Sequence, residues 1–197
     1  MRIERLVSSN FIIEWVLREP SLRKRAIRSL ELREGDIVLD LACGNGVCFE
    51  PLERSIGCKG KIIAFDYNEH ALNLARKRAE SEDYTNIQFI LGDAAYMNLP
   101  DSSLDGALCT FGLSAIPDHE AAIRNVFKAL KTGKRFVILD DKLFEGIGRL
   151  LNPLARRIFT WDYEKDVMSA VREIFEQVDA QKFSSGADYI IVAIKKE

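Results

Sequence analysis

The sequence predicts an α/β protein built on a mostly parallel sheet, and three observations carry that expectation. Five short runs rich in Ile, Val, Leu and Phe follow one another: "DIVLDL", "KIIAFD", "IQFILG", "LDGALCTF" and "RFVILD". Helical stretches such as "HALNLARKRAESE" and "HEAAIRNVFKALK" lie between them, as the crossovers of parallel strands require. The last two strand patterns, "VDAQKFSS" and "DYIIVAIKK", stand only a few residues apart, which is too short for a crossover and predicts an antiparallel hairpin. The expected sheet therefore has seven strands, one of them reversed at an edge.

The elements read in order as follows. Helical patterns cover residues 2–18 and 21–30, with Pro20 as a stop and Ser21 as an N-cap. The first strand, "VLDL", turns sharply through "ACGNG" into a further helical pattern, and strands and helices then alternate as far as "RFVILD". "LKTGKR" before that strand reads as a turn, and a helix over residues 165–175 leads to the hairpin. A chain of 197 residues with no composition shift, repeat or low-complexity tract suits a single domain, residues 1–197. Within it residues 1–30 form an N-terminal helical cap and 31–197 the core.

Composition narrows the partners. Twenty-eight basic residues against 30 acidic leave a net charge of -2, which gives no broad positive field and argues against nucleic acid. The start has a short apolar stretch broken by Glu14, and no run of about 18 uncharged apolar residues occurs, so a cytoplasmic protein is expected. Cys43, Cys48, Cys58 and Cys109 fall at no spacing that suits a metal or a disulfide framework and are read as reduced apolar side chains. No metal is expected.

The glycine turn suggests the ligand. A dinucleotide site would need Gly-x-Gly-x-x-Gly, but the series here is Ala42, Gly44 and Gly46, with Phe49 where the third glycine should stand. Asp40 at the strand end would repel a pyrophosphate and attract an ammonium. A ligand with an amino acid end and a nucleoside, S-adenosylmethionine, suits this turn better than NAD. The second strand ends in Asp66, whose carboxylate can accept both ribose hydroxyls, with Tyr67 next to it for the adenine. The third ends in Gly92 and Asp93, where the carboxylate can accept from the adenine amino group and the Ala94 amide can donate to a ring nitrogen. At the open end of its strand, Asp66 is expected to contribute little to stability.

These residues resemble the class I S-adenosylmethionine-dependent methyltransferases, most of all their ubiquinone and menaquinone C-methyltransferase branch. "LDLACGNG", "GDAAYMNLPDSSLDG" and "TFGLSAIPDHEAAIRNVFKALKTGKRFVILD" carry the resemblance, which spans residues 36–140. It implies a Rossmann-like sheet in the order 3-2-1-4-5-7-6 with strand seven antiparallel, and it extends the site to the strand-four end at Thr110 and Phe111. The cofactor-binding set is then Asp40, Ala42, Gly44, Asn45, Gly46, Asp66, Tyr67, Asp93, Ala94, Thr110 and Phe111. The implied product is S-adenosylhomocysteine. Two departures stand out: Ser114 and Ala115 replace the Arg-Asn pair that follows "FGL" in the quinone enzymes, and "LKTGKR" lacks a glycine of their "LKPGGR". The first argues against a quinone substrate.

Methyl transfer from a sulfonium is an in-line displacement that asks mainly for alignment in a dry pocket. His119, opening the helix after strand four, is the candidate general base, and a solvated place in that first helical turn is its plainer reading. His70 reads as structural. Between strand five and the last helix, Ile147, Leu150, Leu151, Leu154, Ile158 and Phe159 make an apolar stripe beside Arg149, Arg156 and Arg157. Packing on the sheet is one reading; a lipophilic substrate or peripheral membrane contact is the other. Phe11 and Trp15 read as lid or core residues. Two functions follow: a methyltransferase for a small acceptor, lipophilic in the second reading of the stripe, or a non-catalytic S-adenosylmethionine-binding module that works through a protein or membrane partner.

Overall fold

Ile37–Leu41, Lys61–Asp66 and Leu104–Thr110 carry apolar residues on both faces, so each must be covered on both. In the computed structural model, which describes residues 20–141, 165–183 and 188–196, that is where they lie. The described chain runs α1 (Pro20–Ser29), β1 (Ile37–Leu41), α2 (Phe49–Ile56), β2 (Lys61–Asp66), α3 (Glu69–Ser81), β3 (Ile87–Leu91) and β4 (Leu104–Thr110). It continues through α4 (His119–Ala129), β5 (Leu130–Asp141), α5 (Val167–Ile174), β6 (Gln177–Phe183) and β7 (Asp188–Ile194). Short 3-10 turns occupy Ala94–Tyr96 and Leu113–Ala115.

The seven strands lie in the order β3-β2-β1-β4-β5-β7-β6. β1 to β5 are parallel to one another, and β7 runs antiparallel to both β5 and β6. The reversed strand is thus one place in from the edge, and β6 forms the edge itself. Alternate residues feed two cores. Leu39, Leu41, Ile63 and Phe65 face α4 and α5 with Ile123, Val126 and Val171. Val38, Ile62, Ala64 and Leu108 face α1, α2 and α3 with Leu22, Ile27, Phe49, Leu52 and Leu72.

Several boundaries differ from the sequence expectation. α1 begins at Pro20, so Ser21 lies inside its first turn and is not its N-cap; proline's fixed φ and missing N–H suit the first helical position. α4 ends at Ala129, and "LKTGKR" belongs to β5: Leu130 already pairs with Leu104, and Gly133 N donates to Lys195 O at 2.7 Å. Gly133 has φ +77°, a left-handed conformation that a side chain would disfavour, and this lets the chain re-enter the sheet. The helical pattern over residues 2–18, with Phe11 and Trp15, lies outside the described residues, as do the stripe from Ile147 to Phe159 and the hairpin loop at 184–187.

Candidate active site

Parallel strands place their carboxyl ends side by side, and here that edge collects the acidic residues. Asp40 stands one residue before the end of β1, and Asp66 ends β2. Asp93 follows β3, and Thr110 ends β4. The turn after β1 joins them. Ala42 adopts φ +54°, Gly44 φ +56° and Gly46 φ +76°, so the backbone doubles back within a few residues. Gly46 N donates to Cys43 O at 3.0 Å, and Gly44 N to Asp66 Oδ2 at 2.8 Å. The amides of both glycines are therefore held within the protein, and the turn offers a ligand close backbone approach through its shape. A Cβ on Gly44 would meet nothing within 4 Å, which marks open space beside the turn.

Phe49 accounts for the missing third glycine. Its fully buried ring fills the position where a Gly46 Cβ would sit, 2.3 Å from Cε2, and packs edge-on to Phe89 at 6.0 Å. The helix that a dinucleotide phosphate would approach is closed at this point by an aromatic ring.

Asp40 is the electrostatic centre of the site. It is 1% exposed, and neither carboxylate oxygen has a hydrogen-bond partner among the described residues. Burial pushes its carboxyl up to about 7, with the Arg23 guanidinium opposing the rise and Asp66 adding to it. An unpartnered buried carboxylate calls for a cation or a donor from a ligand. Asp66 is likewise buried, yet both of its oxygens are engaged: Oδ2 by Gly44 N, and Oδ1 by Asn68 N at 2.8 Å. Each oxygen keeps a second lone pair for a hydroxyl. The expectation that Asp66 matters little to stability does not fit this arrangement, because its carboxylate ties the glycine turn to the start of α3.

The remaining predicted residues line the same edge. Tyr67 is 78% exposed, and Asp93 is exposed with Oδ1 accepting from Ala95 N at 2.9 Å. Ala94 is buried and Asn45 half-buried. Thr110 and Phe111 close the far side; Phe111 has φ +55°, a costly conformation for a bulky residue, and its N–H donates to Leu139 O at 2.6 Å. Gly112 touches the turn itself, since a Cβ there would lie 2.5 Å from that of Ala42. His119 is the first residue of α4 and half-buried, one position after the N-cap Asp118, and His70 is exposed in the first turn of α3.

Three features escaped the sequence reading. Arg23 of α1 donates through Nη1 to Thr110 Oγ1 and to Cys48 Sγ (3.6 Å), and its guanidinium lies 4.9 Å from the Phe111 ring centroid. Cys48, at the N-cap position before α2, also meets Thr110 at 3.5 Å; burial and then Asp40 push its thiol up to about 11. Ser114 is pinned by Asp140 at the end of β5: Ser114 N donates to Oδ2 at 2.9 Å and Ser114 Oγ to Oδ1 at 3.1 Å. The only sequence signal for the last pair was the departure at Ser114.

The sheet order, the reversed seventh strand and the acidic strand ends meet their counterpart in a known family. The family described as the ubiE/COQ5 methyltransferase family matches residues 16–185. The chain belongs to that family. Among its relatives, the demethylmenaquinone methyltransferase of Lactobacillus johnsonii is 32% identical over 89% of this chain and 82% of its own length. That of Listeria welshimeri is 24% identical over 83% and 70%. In fold, the chain is similar to a SAM-dependent methyltransferase from Aquifex aeolicus, with a TM-score of 0.70 and 19% identity over 90% of this chain and 94% of the other.

This member of the ubiE/COQ5 family is thus an S-adenosylmethionine-dependent methyltransferase with a seven-stranded Rossmann-like sheet. Its residues fit that cofactor: an orphaned buried carboxylate suits the cationic amino acid end, and open space lies beside the strained turn. No described helix is long and apolar enough to cross a membrane.

Proposed function

We propose that the enzyme methylates a small lipophilic acceptor, and that the acceptor lies beyond the carboxyl ends of β4 and β5. The Ser114–Asp140 pair carries the reading of the acceptor. Where the quinone branch has an arginine-asparagine pair, this chain has a neutral hydroxyl fastened to a fully buried carboxylate. With its proton given to Asp140, Ser114 Oγ keeps lone pairs that accept from an O–H or N–H of the acceptor. An arginine would instead favour an anion there. Buried Phe111 and Leu113 beside the pair suit an apolar body, and the relatives named for a demethylmenaquinone support a lipophilic class.

On the cofactor side we assign Asp40 to the ammonium, Asp66 to the ribose, and Asp93 with the Ala94 amide to the adenine. Tyr67 covers the ring, and Ala42, Gly44, Asn45, Gly46, Thr110 and Phe111 shape the walls. When bound, S-adenosylmethionine supplies an electrophilic methyl on a sulfonium. The protein's part is then to orient and to exclude water. His119, at the start of α4, stays the candidate base for an acceptor that must lose a proton.

The test is incubation of the enzyme with methyl-labelled cofactor and fractionated cell extracts, with a demethylmenaquinol arm. Label in a solvent-extractable product other than a menaquinone is expected. Label confined to water-soluble products would overturn the lipophilic reading, and transfer to demethylmenaquinol would overturn the role given to Ser114. Tight cofactor binding with no transfer to any fraction would favour the second reading, a binding module acting through a partner.

A further inference from the structure

Asp40 answers only half of an amino acid. The methionyl end of the cofactor is a zwitterion, and a pocket that buries its ammonium against a carboxylate must also satisfy its carboxylate. None of the acidic strand ends can do so, since each would repel it.

A described cation reaches this edge of the sheet beside Asp40. Arg23 comes from the first turn of α1, 87 positions before Thr110, and is half-buried among Thr110, Cys48 and Phe111. Asp40 is the register partner of Leu108, two residues before Thr110 on β4, so the guanidinium reaches the strand-end region that Asp40 occupies. The two charges act on each other. Yet no hydrogen bond joins them: both Asp40 oxygens lack a partner among the described residues.

The way Arg23 is held matters. Its hydrogen bonds to described residues both leave from Nη1, to the Thr110 hydroxyl and the Cys48 thiol, while the Phe111 ring lies against the guanidinium face. A guanidinium has donors on three nitrogens, so the hydroxyl and thiol fix the fork without exhausting it. Nε and Nη2 remain for a planar anion, and a carboxylate is the anion whose two oxygens match that fork. Phe111 takes a strained positive φ at the place where its ring meets Arg23, as backbone at a ligand clamp often does.

We propose that Arg23 is the receptor for the α-carboxylate of the cofactor, opposite Asp40 as receptor for the ammonium, so that α1 completes a zwitterion site. The proposal rests on the placement of the cofactor argued above and is independent of the acceptor. It makes the amino acid end a requirement for tight binding: a nucleoside thioether that lacks the end, or an analogue that keeps the amine but lacks the carboxylate, gains nothing from Arg23.

The experiment is calorimetric titration of the full chain and its R23Q and R23K variants with three ligands. These are S-adenosylhomocysteine, decarboxylated S-adenosylmethionine and 5′-methylthioadenosine. R23Q should weaken S-adenosylhomocysteine by about 10- to 100-fold, the range for loss of a charged hydrogen-bonded pair. It should leave 5′-methylthioadenosine within about twofold and the decarboxylated ligand unchanged or tighter, a fork-specific pattern that R23K restores only in part. Equal weakening of all three ligands would assign Arg23 to packing, and unaltered S-adenosylhomocysteine binding would remove it from the site; either overturns the proposal. Should R23Q fail to fold, R23K decides alone by the same selective loss. If the unmutated chain binds 5′-methylthioadenosine as tightly as S-adenosylhomocysteine, the zwitterion site is wrong while the nucleoside site stands. If it binds none of them, the placement of the cofactor fails and takes this proposal with it.

Discussion

The Asp66 carboxylate accepts the Gly44 amide at 2.8 Å, so the acid proposed for the ribose is also the clasp that holds the glycine turn against β2. A second bond, from Asn68 N to the other oxygen, extends the clasp to the N-cap of α3. The proposed ligand recognition and the local folding therefore rest on one side chain.

Replacing Asp66 tests both roles. Asn keeps one acceptor and loses the charge, and Ala loses both acceptors. S-adenosylhomocysteine affinity should fall by roughly 1–3 kcal/mol, about 5- to 150-fold, with Asp66→Ala at least as weak as Asp66→Asn. The ligand-free Asp66→Ala variant should also lose about 1–3 kcal/mol of stability, because two backbone amides lose a charged acceptor. Titration calorimetry and denaturant unfolding measure the two effects; parental affinity in Asp66→Ala would remove the residue from the ribose site.

Asp40 should make both stability and ligand affinity depend on pH, in opposite directions. Burial, opposed by Arg23 and reinforced by Asp66, lifts its carboxyl from the ordinary 3.8 to about 7. Between those values the folded chain holds a proton that the unfolded chain has released, so this group's contribution to stability falls as pH rises through the window. An ammonium needs the ionised carboxylate, so S-adenosylhomocysteine affinity should drop below about pH 7, approaching tenfold per pH unit. Asp40→Asn should melt higher than the parent at pH 8 without ligand and bind S-adenosylhomocysteine more weakly. Thermal melts and titrations across pH 5 to 9 check it, and a flat affinity profile would contradict the ammonium role.

The two glycines of the turn should respond differently to alanine. At Gly46 the new methyl meets the Phe49 ring at 2.3 Å in addition to the strained φ of +76°. At Gly44 only the φ of +56° opposes it, since the space is open. Gly44→Ala should cost about 1 kcal/mol, and Gly46→Ala about 2–4 kcal/mol. Adding Phe49→Leu to Gly46→Ala should recover part of that loss relative to Phe49→Leu alone, which a double-mutant cycle by urea unfolding would reveal.

At the opposite end of the sheet, Asp105 joins β4 to its neighbours. Burial alone would raise its carboxyl, but the Lys131 ammonium, the Ile37 amide and Lys134 together hold it below the ordinary value. Its contribution to stability is therefore complete above the unfolded carboxylate's pKa and is lost as pH falls through the lower folded one. Asp105→Asn should destabilise the chain at pH 7 by about 1–2 kcal/mol, with Lys131 partly exposed to solvent, and should weaken the acid dependence of unfolding. Unfolding curves at pH 7 and pH 3 provide the measure.

Much of this protein was readable from local pattern. Strands that bury both faces must be continuous apolar runs, so Ile37–Leu41, Lys61–Asp66 and Leu104–Thr110 announce themselves, and a carboxylate that ends such a run stands out at once. Asp40, Asp66, Asp93 and the glycines were legible for that reason, as was the antiparallel pairing of the short-linked final strands. The boundary at Ala129 was not, because the pairing of Leu130 with Leu104 outweighs the helical pattern that continues into "LK".

What only the tertiary structure decided are the partnerships. Gly44 meets Asp66 across 22 positions, Ser114 meets Asp140 across 26, and Arg23 meets Thr110 across 87. Periodicity reports which face of an element turns inward, and it is silent on which distant residue that face will find. Parallel strands joined by helical crossovers bring remote strand ends to one edge, so the groups that hold one another there are neighbours in space and strangers in sequence.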